Sequence, residues 1–227
     1  MRFPNAFKGI KKIWVAEILM LIAAILGIAL LIIVSNNVAM TTEVAALGDT
    51  VAVSNSVTVN EAIAAPVTIL TIGIGVIALI AFILNLIGLL GARRDDDNFR
   101  IALFVTIIGI AASIVTSVWS NNEIVKKWMD VVNTLCSLFA SYFVLTGIAS
   151  LAEQYPDHAT KAFALKSRTW LEGSFCLSVI LKFIINIFNI QNETVVLIMS
   201  IVALLVEIIS YILYLRALNR GKAMLAK

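Results

Sequence analysis

Apolar runs, each about as long as a helix that crosses a bilayer, alternate with short polar segments along the entire chain. A hydrocarbon core about 30 Å thick requires roughly 20 apolar residues in helical form, because no water is present there to satisfy exposed backbone groups. The pattern predicts six spans, near Ile13 to Val34, Val67 to Gly91, Ile101 to Trp119, Val131 to Ala152, Thr169 to Ile190 and Val195 to Leu215. None of them alternates with period two. A β-barrel strand places a polar residue at every second position, whereas Ile25 to Val34 is apolar on all sides. The expected fold is therefore all-α, a polytopic membrane protein forming one six-helix domain over residues 1–227.

Composition agrees: 61% of the 227 residues are hydrophobic and 14% charged, against about 45–50% and about 25% in soluble chains. A mean hydropathy of +1.00 makes the lipid bilayer the first expected partner. Nothing in the charge pattern suggests nucleic acid as another.

Charge sets the orientation, since Lys and Arg are retained on the cytoplasmic side of short loops. Arg2, Lys8, Lys11 and Lys12 precede the first span, and Arg93, Arg94 and Arg100 separate the second from the third. Lys161, Lys166 and Arg168 lie between the fourth and fifth, and Arg216, Arg220, Lys222 and Lys227 follow the sixth. Fourteen of seventeen cations thus fall on one side; Lys126 and Lys127 fall on the other and Lys182 lies within a span. Both termini are expected to be cytoplasmic, and the short loops suit a bacterial plasma membrane. Trp14, Trp119, Trp128 and Trp170 all stand at span ends, where aromatic side chains anchor at the interface. The first apolar run exceeds a signal peptide's core of roughly 7–15 residues and is read as a permanent helix.

Equal spacing hints at an internal repeat. Val67, Val131 and Val195 open spans two, four and six at intervals of 64, and Phe99 and Phe163 are also 64 apart. Ala6-Phe7 with Lys12-Ile13-Trp14 matches Ala162-Phe163 with Arg168-Thr169-Trp170 in internal offset. These features suggest three helical hairpins, about 7–98, 99–162 and 163–227. Mitochondrial carriers also have three two-helix repeats, but Pro4, Pro66 and Pro156 lack the Pro-x-acid-x-x-base signature of that family. The outer segment 35–66 is too long for a simple turn. Within it, Val51, Val53, Val57 and Val59 around Ser54-Asn55-Ser56 suggest a small hairpin, while Thr41 to Leu47 suggests the start of a helical turn.

Small residues line one face of span two (Thr71, Gly75, Ala78, Ala81, Asn85, Gly88) and of span three (Ala102, Thr106, Gly109, Ser113, Thr116, Ser120), with Ala16, Ala23 and Gly27 in span one. Such stripes let backbones approach, which is what holds helices together in lipid. Spans five and six carry polar stripes instead: Ser174, Ser178, Lys182, Asn186 and Asn189 on one, and Ser200, Glu207, Ser210, Tyr211 and Tyr214 on the other. At 1.5 Å per residue Lys182 and Glu207 are offset by about 6 Å along the membrane normal, within reach of two long side chains. An unpaired charge at that depth costs at least roughly 2.5–3.5 kcal/mol. Lys182, Glu207, Ser178, Asn186 and Tyr211 are therefore the candidate polar pathway, or else a buried ion pair that only fixes register. Asn85 and Asn133 read as interhelical hydrogen-bonding groups, and Glu17 and Glu172 as side chains reaching for water near the interface.

Familiar catalytic chemistry is not legible. His158 stands alone in the loop Tyr155-Pro156-Asp157-His158, so no metal set or Ser–His pairing can be assembled. Cys136 and Cys176 differ in depth by about 13 Å, too far for a disulfide. Arg93-Arg94-Asp95-Asp96-Asp97 reads as a self-neutralised turn. An enzyme is not expected, nor a cofactor or metal. The expected role is passage of a solute or ion along the seam of spans five and six, alone, as a homo-oligomer or with other membrane subunits. The alternatives are a non-transporting scaffold or accessory subunit, and a substrate-binding membrane subunit of a multi-component transporter. In topology and size alone the chain is similar to the membrane subunits of energy-coupling-factor vitamin transporters, whose small-residue docking helix Ala23-x-x-x-Gly27 resembles.

Overall fold

The computed structural model describes the backbone of residues 3–47, 50–59, 61–119, 122–187 and 193–226, and the side chains of 3–35, 65–119, 122, 124–181, 184 and 195–226. Six helices carry the chain: α1 Pro4–Asn37, α2 Glu61–Ala92, α3 Asp97–Val118, α4 Glu123–Gln154, α5 His158–Ile187 and α6 Glu193–Leu225. Five of them, all but α5, are long and apolar enough to cross a membrane within the described residues. The protein is thus a polytopic helical membrane protein. The described side chains of α5 run contiguously only to Leu181, and Lys161, Lys166, Arg168 and Glu172 fall in its first half.

Two antiparallel strands, β1 Val38–Leu47 and β2 Thr50–Val59, are added between α1 and α2, with Val38 opposite Val59 and Leu47 opposite Thr50. This corrects the sequence reading in two respects. Ser54-Asn55-Ser56 lies within β2 opposite Glu43, Thr42 and Thr41, not at a turn, and Thr41 to Leu47 is strand rather than helix. Six of the ten residues of β2 are Val or Thr, types that pack well on a pleated surface.

The chain divides into two compact units, Met1–Trp14 with Leu84–Lys227, and Val15–Ile83. In the second unit Ala16, Ala23 and Ala81 are buried while Ile25, Ile28, Leu31, Ile69 and Ile72 are strongly exposed, as expected of helices whose solvent is lipid.

In the first unit the buried residues gather at the cation-rich end. Ala6, Ile10 and Ile13 of α1, Leu89 and Ala92 of α2, and Phe99, Ala102 and Leu103 of α3 join the last turns of α4 (Val144 to Ala152), Ala164 of α5 and Ala217, Leu218, Met224 and Leu225 of α6. Close approach there depends on missing side chains. A Cβ on Gly9 would lie 2.5 Å from the Gly88 carbonyl oxygen and 2.7 Å from the Ala92 nitrogen, so α1 and α2 touch backbone to backbone. Gly147 makes room for the Phe99 ring, and Gly221 for Ile148. Gly88 and Gly109 of the expected small-residue stripes lie at such contacts, Gly109 against Cys136 and Asn133 of α4. Gly75 and Gly27 do not: nothing among the described residues lies within 4 Å of a Cβ at either. On α3, Thr106, Ser113 and Thr116 direct their hydroxyls to the carbonyls of Ala102, Gly109 and Ala112, one turn back, so these hydroxyls meet their hydrogen-bonding need within their own helix.

Carboxylates and an amide close the helix ends. Asp95 accepts from the Asn5 side chain (3.0 Å) and from the Ala6 backbone N–H (2.6 Å), capping α1 from the link between α2 and α3. Asp96 caps α3 through the Asn98 N–H, Asn122 caps α4 through Ile124 and Val125, and Asp157 accepts from Thr160 in the first turn of α5. The Arg-Arg-Asp-Asp-Asp run is therefore not self-neutralised. Two of its acids serve helix N-termini, whose first N–H groups lack intrahelical partners. Among the described residues only Asp97 of this run meets a cation, the exposed Arg100 at 3.8 Å.

Candidate functional site

Antiparallel α5 and α6 pack within the first unit with serines of each helix reaching across to the other. Ser167, buried, donates to the Phe163 carbonyl and reaches the Leu213 carbonyl at 3.4 Å. Ser210, also buried, donates to the Trp170 carbonyl at 3.1 Å. Farther from the cation-rich end, Ser178 donates to a Glu207 carboxylate oxygen at 2.6 Å. The seam thus passes from hydroxyl–backbone bonds at the packed end to a hydroxyl–carboxylate bond where it opens. Small serine side chains permit that spacing, and their hydroxyls cross-link helices that have no hydrophobic drive to associate in lipid.

Ser178 and Glu207 stand at an open groove of about 360 Å³, lined also by Leu181, Met199, Ser200, Ala203 and Leu204. Glu207 is exposed, and its neighbours Leu204, Leu205, Ile208 and Ile209 are exposed as well. It lies fourteen residues into α6, roughly 21 Å from the start at the helical rise. A carboxylate is therefore held midway along an apolar helix, on its open side, with three oxygen-bearing side chains around one groove.

Of the five residues expected to form the pathway, the structure brings Ser178 and Glu207 together. Tyr211 is partly buried against the core, with its ring 6.4 Å from that of Tyr214. The side chains of Lys182 and Asn186 lie outside the described residues, as does the expected Lys182–Glu207 pairing. Ser174 is buried and turns its hydroxyl back to the Leu171 carbonyl.

A second polar cluster escaped the sequence reading. Arg168 of α5 lies over the Tyr142 ring of α4 (4.9 Å), reaches the Thr146 hydroxyl at 3.5 Å and pairs with Glu172 at 3.5 Å. Its Nε is shielded from solvent, and the Glu172 contact, long for a hydrogen bond, is its nearest compensation. The signal available was the i,i+4 spacing of Arg168 and Glu172. Cations at this end also stack on aromatic faces, Lys222 over Trp14 at 3.7 Å and Arg220 over Phe163 at 4.2 Å.

Among the described residues no group of three His, Cys, Asp or Glu is placed to hold a metal, and Cys136 and Cys176 are both free. No family model, curated protein or solved structure matches the chain.

Proposed function

We propose that this membrane-embedded helical bundle passes a small solute or ion along the seam between α5 and α6, with Glu207 as the fixed charge and Ser178 orienting it. The observation that carries the reading is the Ser178–Glu207 hydrogen bond at the mouth of a groove midway along an apolar helix. One neutral hydroxyl does not cancel a carboxylate. A charge at this depth is retained where water, a counter-ion or a transported group accompanies it. Oxygen donors from Glu207, Ser178 and Ser200 suit a small hard cation or a protonated group better than an apolar solute. The role is binding and passage rather than catalysis, and both termini face the cytoplasm of a bacterial plasma membrane, a placement supported by the cation bias of the loops.

Thiol accessibility tests this. In a background with Cys136 and Cys176 replaced by Ser, Ser178→Cys and Glu207→Cys should react with a water-soluble, membrane-impermeant thiol reagent in reconstituted protein, at a rate slowed by the transported species. Inert thiols at both positions, with Lys126→Cys labelled normally, would overturn the reading. A second reading, a non-transporting scaffold or accessory subunit, draws support from Ser167 and Ser210, whose hydroxyls are occupied by backbone carbonyls and act only as cross-links. The inert result would favour it.

A further inference from the structure

At the cation-rich end of the first unit's helices, apart from the Glu207 groove, a second open groove of about 390 Å³ lies where the α2–α3 link meets α3, lined by Arg93, Arg100, Ile101, Leu103, Phe104 and Ile107. Its composition is split along the helix. The two guanidinium groups stand at the link and the first turn of α3. Ile101, Phe104 and Ile107 continue from them up the apolar helix, with Phe104 65% and Ile107 50% exposed. From Arg100 to Ile107 the rise is about 10 Å.

No acid is among the residues that line this groove, and the nearby Asp95 and Asp96 point their oxygens at helix N-termini rather than into it. Asp95 is held by the N-terminus of α1 and Asp96 by that of α3. Among the described residues no acid lies within ion-pair distance of Arg93, and Arg100 meets Asp97 only at 3.8 Å with both side chains largely in solvent. Exposed pairs of that kind contribute little. Two planar guanidinium forks beside an apolar wall, at the end of a membrane-spanning helix, match an anionic headgroup attached to acyl chain.

We propose that this groove binds one anionic phospholipid, its phosphate between Arg93 and Arg100 and the upper part of an acyl chain along Ile101, Phe104 and Ile107. The charge complementarity selects the headgroup and the apolar wall selects a lipid over a free anion. The site is independent of the α5–α6 seam and stands whether or not that seam conducts.

Native mass spectrometry of the whole protein, released from micelles containing equal phosphatidylglycerol and phosphatidylcholine, reads the outcome. The protein should retain one phosphatidylglycerol preferentially, and Arg93→Gln with Arg100→Gln should lower that preference roughly tenfold to thirtyfold, as expected for two lost cation–phosphate contacts. Arg216→Gln, which removes an exposed charge at the same end away from the groove, should leave it unchanged. Arg93→Lys with Arg100→Lys should keep part of the preference and guards against a folding defect in the neutral pair. Equal retention by the neutral pair, an equal loss in Arg216→Gln, or displacement of the lipid by millimolar inorganic phosphate would overturn the proposal.

Discussion

Replacing Gly9 with alanine is the sharpest test of how this bundle is held together. The added Cβ would stand 2.5 Å from the Gly88 carbonyl oxygen, 2.7 Å from the Ala92 nitrogen and 2.8 Å from the Ala92 Cβ. Two of these are backbone atoms that no rotamer change can move. Ordinary contact begins near 3.5 Å, so α1 and α2 must separate by roughly 1 Å, and a gap of that size forfeits about a quarter to a half of the dispersion energy at each affected contact. Overpacking of this kind costs about 1–3 kcal/mol, against which alanine regains about 0.8–1 kcal/mol of helix propensity. The net expectation is a loss of up to about 2 kcal/mol. Gly27→Ala is the control, because nothing among the described residues lies within 4 Å of a Cβ there and only the propensity gain applies. The two variants should then differ by about 2 kcal/mol, roughly 4–8 °C in thermal midpoint for a chain of this size. Intrinsic tryptophan fluorescence during heating in a mild detergent measures it. Equal midpoints for Gly9→Ala and Gly27→Ala would refute a backbone contact between α1 and α2.

Other expectations are equally concrete. Phe99, fully buried against Gly147, should lose about 3–5 kcal/mol on truncation to alanine, measured by the same unfolding assay. Asp95→Ala should cost about 1 kcal/mol through the lost cap on α1 and Asp95→Asn less; equal losses would mean that charge, not hydrogen bonding, carries the contact. For the α5–α6 seam, Lys182→Met and Glu207→Gln should each be costly, and the double change should recover part of the stability if the two charges meet. Strict additivity would separate them. Reporter fusions after residues 96, 160 and 227 should be cytoplasmic and those after 50, 124 and 192 external; a cytoplasmic signal at 50 would overturn the orientation.

Helix number and position were legible because apolar length is a strong signal in a chain whose solvent is lipid: the runs ending at Val34 and Gly91 continue as α1 and α2 with little change in register. The packing glycines were less legible. Gly9 lies among Lys8, Lys11 and Lys12, and a reading keyed to small residues inside apolar spans passed over it in favour of Gly75. The contact is made at the cation-rich end, outside the span. Ser178 and Glu207 were placed on polar stripes of adjacent helices, but the sequence reading paired Glu207 with Lys182; the Ser178–Glu207 hydrogen bond depends on side-chain facing that helical spacing does not define. Arg168 with Tyr142 and Thr146 was not legible either, because it depends on the facing of α4 and α5, which single-helix periodicity does not define. The hairpin's valines were visible, but Ser54-Asn55-Ser56 was read as its turn although it lies within β2, since an alternating run marks a strand without marking which end pairs first.

The carboxylate that closes the first turn of α1 sits 89 positions farther along the chain. At a synthesis rate of roughly 5–20 residues per second, about 4–18 s separate the making of Ala6 from that of Asp95. Throughout that interval α1 lacks the Asp95 cap, which is supplied only when α2 has been made and the link beyond it has emerged. The insertion machinery thus handles a helix that stays adjustable in depth and tilt until its neighbour arrives, and the Asp95 contact acts as a clasp fastened late. A nascent chain arrested before residue 95 should hold α1 in the membrane without fixing it.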